Sequence, residues 1–251
     1  MALLVAGCNF AVNGVELGSA VDTSDLAMTT DVDLAASDDE DLATPPPPPV
    51  ADLAMPPPPD LTPATGMLTG AIALTPGATP IDLTTEGLAD WTHWGTTVAT
   101  SFDHKNAVTM QISNFTNVAN TPVQQLGSYG VGFTWADGTP TPAATNSTTG
   151  VYTYGAGAAF RITARADTTT RTLRLYAGGQ QSTATVTAHL SDASAADYTT
   201  TTTLGAGDTG NQFERTVTLV YHAAAAGQTL TVTWALSSNA GYVHVHSATL
   251  Q

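Results

Sequence analysis

The chain of 251 residues holds one cysteine, and only 6 of its residues are Lys or Arg. A single cysteine excludes a disulfide framework within the chain and any zinc site built on cysteine. The 21 acidic residues bring the net charge to -15. That balance argues against a nucleic-acid partner, because a phosphate backbone is held by Lys and Arg. No stretch is long and apolar enough for a transmembrane helix, which needs roughly 18 or more residues. Charged residues make up 11% of the chain, against roughly 25% in an average soluble domain. Thr, Ala, Ser and Gly take their place. The sequence also has no Gly-x-Ser-x-Gly elbow, phosphate loop or dinucleotide fingerprint, so no enzyme activity is expected.

What is present is unevenly placed. Residues 1–66 carry 11 of the 21 acidic residues and no Lys or Arg, which leaves that segment at -11 and residues 67–251 at -4. Of the 15 prolines, 10 fall between Pro45 and Pro63. Such a segment cannot bury enough apolar surface to offset its ordering entropy. Proline runs favour extended polyproline II at ~3.1 Å per residue. A crude Asp-Leu-Ala repeat, at Asp25, Asp33, Asp41 and Asp52, has no strand or helix register. Residues 9–66 are therefore expected to be a disordered, self-repelling tether.

Ahead of it, Leu3-Leu4-Val5-Ala6-Gly7-Cys8 resembles the lipobox of bacterial lipoproteins. Small residues before the cleavage point suit a protease that needs close backbone approach, and the cysteine thiol is where the lipid attaches. Residues 1–8 form a partial signal, with no Lys or Arg and only a few apolar residues before Cys8. The resemblance implies lipidation of Cys8 and a membrane contact through the lipid. Asn9 stands where Asp would mark inner-membrane retention. The implied location is the cell envelope, as an outer-membrane lipoprotein, or the extracellular side.

From Met67 onward, short runs of alternating apolar and polar residues recur between Gly, Pro, Asn and Asp. In Thr216–Tyr221, the residues Val217, Leu219 and Tyr221 share one face; in Thr229–Trp234, Leu230, Val232 and Trp234 do. Thr183–Leu190 and Tyr242–Leu250 read the same way. Period two with β-branched partners marks half-buried strands. The only helical candidate is a short stretch at Ala193–Tyr198. About eleven short strands predict an all-β fold over residues 67–251, a jelly-roll-like β-sandwich first and an immunoglobulin-like one second.

Asp82–Gly87, Asp90-Trp91-Thr92-His93-Trp94-Gly95, Phe133–Pro140, Gly150–Tyr152, Ala166–Leu173 and His189–Asp192 resemble a secreted bacterial domain of the galactose-binding-like jelly-roll type. Such domains occur beside enzymes and adhesive modules. The resemblance implies a non-catalytic binding role and supplies no catalytic residues.

The residues suggest where binding would occur. Sugar rings stack their CH faces on exposed aromatic planes, and their hydroxyls need polar neighbours. Trp91, Trp94 and Trp135, with Asp90 and His93, form the candidate site. Trp91 and Trp94 would face opposite sides on a strand but one ligand from a loop. The expected partner is a carbohydrate or cell-surface polymer; the alternative is a structural or adhesive envelope lipoprotein without a small ligand. His244 and His246 share a strand face, with His222 on another strand. They read as solvent-facing histidines, since no carboxylate accompanies them at a telling spacing, and no metal or other cofactor is assigned. The alternative for the histidines is zinc, held by two imidazoles on one face with a third nearby; structural calcium would sit at Asp82, Glu86, Asp90, Asp137, Asp192 or Asp197, where turn-capping is the simpler role. Arg161, Arg165, Arg171 and Arg174 read as solvated strand residues.

Overall fold

Alternation of β-branched or apolar residues with Thr and Ser shapes most of the long strands of the computed structural model. The structure describes residues 65–251, except Tyr129 and Asn239. The expected signal, Cys8 and nearly all of the acidic tether lie outside the described residues. The first strands are β1 (Met67–Leu74), β2 (Ile81–Asp82), β3 (Asp90–Trp94), β4 (Phe102–Lys105), β5 (Thr116–Asn117) and β6 (Val123–Leu126). Then come β7 (Phe133–Trp135), β8 (Gly138–Thr139), β9 (Ala144–Ser147), β10 (Gly150–Tyr154), β11 (Ala159–Ala166) and β12 (Arg171–Gln180). The last are β13 (Thr183–Leu190), β14 (Tyr198–Thr203), β15 (Gln212–His222), β16 (Gln228–Leu236) and β17 (Tyr242–Leu250). A single helical turn, α1 (Leu83–Glu86), starts after Asp82, whose carboxylate accepts from the Thr84 and Thr85 amides. No helix forms at residues 193–198: Asp192 caps a turn there, accepting from the amide and hydroxyl of Ser194.

The fold is an all-β sandwich of the jelly-roll-like kind. The large sheet runs β1-β15-β12-β17-β3-β4-β8, with β10 also paired to β17 and β6 beyond it. The facing sheet runs β14-β13-β16-β11-β5. Between them lies the main core. Val217, Leu219 and Tyr221 of β15 and Leu173 and Leu175 of β12 meet Phe160, Ile162, Val186, Leu230, Val232 and Trp234 from the facing sheet. Burial alternates residue by residue along β13 and β15, as it must where one face meets apolar side chains and the other meets water.

The large sheet has a second covered face. A small sheet, β2-β7-β9, and α1 lie over it, enclosing Leu83, Trp91, Val131, Phe133, Trp135 and Tyr176. Beneath this third layer alternation disappears. Every residue of β3 is buried, and so is every residue of β17 after Tyr242.

A bulge in β17 shapes what this layer covers. Ala177 pairs with Val245 but Tyr176 pairs with Ser247, so His246 is the extra residue. Val243, Val245, Ala248 and Leu250 still reach the main core. The parity break puts His246 and Ser247 side by side on the opposite face, toward the small sheet.

Candidate functional site

The expected tryptophan platform is not a surface. Trp91 and Trp94 are 0% exposed and Trp135 is 1% exposed. Asp90-Trp91-Thr92-His93-Trp94 is a regular strand, so Trp91 and Trp94 point to opposite faces. Trp94 enters the main core, and Trp91 packs beneath the third layer at 5.4 Å from Trp135. Each indole N–H is also committed internally. Trp91 donates to Asp137 Oδ1 at 2.9 Å, Trp94 to Asn114 Oδ1 at 3.0 Å, and Trp135 to the Thr141 carbonyl at 2.9 Å. As placed, these rings contribute buried area and internal hydrogen bonds rather than an open stacking face.

Asp90 and His93 are buried with them. Asp90 accepts the backbone amides of Trp91, Gln111 and Ile112, which ties the incoming loop to β3. Burial raises its pKa, and those three amides oppose the shift. His93 lies against Phe133 and Trp135. Its Nδ1 is 2.7 Å from Ser247 Oγ and its Nε2 is 3.1 Å from Thr149 Oγ1. Burial pushes its pKa down to about 3, helped by the charge of His246. The acids considered for calcium are dispersed. Asp137 binds Lys105 at 2.7 Å, Glu86 accepts the Tyr176 hydroxyl, Asp192 caps its turn and Asp197 meets His189 at 2.6 Å.

Two other groupings of polar and aromatic side chains lie along one register line of the large sheet. Gln124 of β6 stands opposite Tyr152 of β10, Tyr152 opposite His244 of β17, His244 opposite Gly178 of β12, and Gly178 opposite Glu214 of β15. Two residues along, Tyr154 stands opposite Tyr242. This line holds two features, one at the surface and one beneath it.

At the surface, three tyrosines form an aromatic patch. The Tyr152 and Tyr154 rings are stacked at 6.3 Å, and Tyr152 is 4.7 Å from Tyr242. Tyr154 is 41% exposed, Tyr152 and Tyr242 are half-buried, and Gln124 is exposed. The Tyr152 hydroxyl donates to Gln124 Oε1 at 2.6 Å, and Gln124 Nε2 reaches the Tyr154 hydroxyl at 3.4 Å. Sequence reasoning missed this patch because Tyr152 and Tyr154 sit on a short strand and Tyr242 lies 88 positions beyond Tyr154. The i, i+2 spacing in Tyr152-Thr153-Tyr154 was the available signal.

Beneath it, His244 and His246 are fully buried rather than solvent-facing. Glu214 supplies the carboxylate that the local sequence did not show. Its Oε1 lies 3.0 Å from His244 Nε2 and 3.3 Å from His246 Nε2. His222 stays apart, with Nδ1 3.4 Å from the Ala223 carbonyl. Two glycines clear the space: a Cβ on Gly178 would strike the His244 ring, and one on Gly150 would come 2.7 Å from His246 Nδ1. Burial alone would raise the Glu214 pKa, but the charges of His244 and His246 outweigh it and hold the carboxyl well below its usual range. Burial lowers His244, and Glu214 opposes the shift. For His246 burial is outweighed by Glu214 and the Thr149 carbonyl, and its pKa is raised.

No family model matches the chain, and no curated protein matches it. Solved structures do. The chain is similar to a family 61 carbohydrate-binding module in complex with β-1,4-galactotriose: 8% identity, TM-score 0.35, covering 55% of this chain and 86% of the module. It is similar to a family 16 carbohydrate-binding module at 17% identity and TM-score 0.32, over 53% of this chain and 87% of that one. It is similar to the K1 cleaved adhesin domain of Lys-gingipain from Porphyromonas gingivalis W83 at 13% identity and TM-score 0.35, over 59% and 94%.

Proposed function

We propose that this chain is a non-catalytic binding module that takes a carbohydrate, or a sugar-containing cell-surface polymer, on the patch of Tyr152, Tyr154 and Tyr242. The observation that carries the reading is that patch: adjoining aromatic rings on an outer sheet face, with the exposed amide of Gln124 beside them. Sugar CH faces pack on such rings, and the tyrosine hydroxyls and the amide supply hydrogen bonds to sugar hydroxyls. In this reading Cys8 carries the lipid, residues 9–66 hold the sandwich away from the membrane, and the protein works at the cell envelope.

The test is glycan-array binding of the full chain, followed by titration calorimetry with the best glycan. Tyr152→Ala and Tyr154→Ala are expected to abolish binding while near-UV circular dichroism is retained. Retention of binding in both folded variants, or no glycan bound by the parent chain, overturns the reading.

A further inference from the structure

His246 presents a specific chemical problem. Its Nδ1 lies 2.8 Å from the Thr149 carbonyl. A carbonyl only accepts, so Nδ1 carries a proton there. In a neutral ring Nε2 then offers a lone pair, and it faces a carboxylate oxygen 3.3 Å away. Two lone pairs at that distance are held together by a cation between them. That cation is either a proton on Nε2 or a metal ion.

The surroundings match a metal centre. Among the described residues, Glu214, His244 and His246 form the one group of three such side chains whose ligand atoms all lie within 4.8 Å of one another. The oxygen-to-nitrogen distances of 3.0 and 3.3 Å fit the separation of about 3.0–3.4 Å between ligands that each sit ~2.1 Å from one ion. The Nδ1–H to carbonyl bond of His246 is the outer-shell contact that fixes the tautomer of a ligating histidine. Glu214 is the partly exposed member of the group, and it lines a cavity of about 160 Å³ together with Thr75, Val131, Asp208 and Gln212 among others. The bulge places His246 beside Ser247 on this face, and Gly178 and Gly150, lacking side chains, leave room for the His244 and His246 rings.

We propose that Glu214 Oε1, His244 Nε2 and His246 Nε2 bind one divalent transition-metal ion of the zinc class. Two imidazoles and one carboxylate are a borderline donor set that suits zinc and its first-row neighbours better than calcium. The site is independent of glycan binding.

The experiment uses the full chain carrying Cys8→Ser, so that the thiol takes no metal. Zinc content after desalting is measured by mass spectrometry, and affinity by competition with a chromophoric chelator. One zinc per chain is expected, with Co²⁺ in its place giving visible d–d absorption. Glu214→Gln, His244→Gln and His246→Gln are each expected to weaken binding by more than the ~10–100-fold typical of losing an outer-shell partner. His189→Asn, at the exposed histidine beside Asp197, leaves it unchanged. If the variants unfold, the parent chain decides: Co²⁺ absorption, with a zinc-dependent rise in Tm, supports the site. No metal bound by the folded parent, or affinity unchanged in all three folded variants, overturns it and leaves a proton between Glu214 and His246.

Discussion

The two faces of the large sheet obey different rules. Toward the facing sheet, β12, β15 and β17 present Leu, Val, Ala and Tyr, and the gap is filled with apolar side chains. Toward the small sheet the same strands present Tyr176, Glu214, His244, His246, Ser247 and Thr249, beside Trp91 and His93 of β3. All but the partly exposed Glu214 are buried. A buried polar group is costly unless it is paired, so this face is organised by directed contacts where the other is organised by volume. The first face makes the sandwich stable. The second fixes particular side chains at particular distances.

The largest expected effect breaks the first face. Trp234→Ala removes a fully buried ring whose N–H donates to the Gly178 carbonyl at 3.0 Å. It is expected to cost about 3–5 kcal/mol, read as a drop in the urea midpoint. Gly178→Ala tests the second face. Its Cβ would collide with the Phe213 carbonyl and the His244 ring, so a loss of about 1–3 kcal/mol is expected. Differential scanning calorimetry would report it.

Acid should separate the faces further. His93 is held neutral down to about pH 3, whereas an unfolded histidine takes up its proton near 6.5. Between those values the unfolded state binds the extra proton, so stability falls as pH falls, by about 1.4 kcal/mol per pH unit for this one group. Urea midpoints at pH 7 and pH 4.5 should show a shallower fall in His93→Asn. The smallest effect is at the rim. Tyr154→Ala is expected to change stability by no more than about 0.5 kcal/mol, as surface substitutions usually do. Thermal unfolding checks this, and a loss of several kcal/mol would show that the ring is structural.

The sequence made the first face legible and concealed the second. β13, β15 and β16 alternate cleanly, so their inward residues could be read directly, Trp234 among them. Asp90–Trp94 could not be read this way, because a strand covered on both sides has no polar face to set its period. The covering layer is built from β2, β7 and β9, of two, three and four residues, too short to show any alternation. Trp91 and Trp135 therefore looked like candidates for an open surface. Glu214 and His244 are brought together by strand order, β15 beside β12 beside β17, which no local pattern encodes. The glycine pair Gly178-Gly179 inside an otherwise bulky strand was the one local sign of close approach there.

β17 is the last strand of the sandwich in the chain, yet it occupies the middle of the large sheet, joining β12 on one side to β3 and β10 on the other. During synthesis, β1, β12 and β15 can pair with one another, and β3 with β4, but among the described strands no pairing joins these two groups within the sheet until residues 242–250 have left the ribosome. The same residues deliver His244 and His246. Assembly of the large sheet and formation of the buried polar centre are thus one late, long-range event, of the kind that folds slowly. Until it happens the unpaired edges of β12 and β3 are open to mispairing.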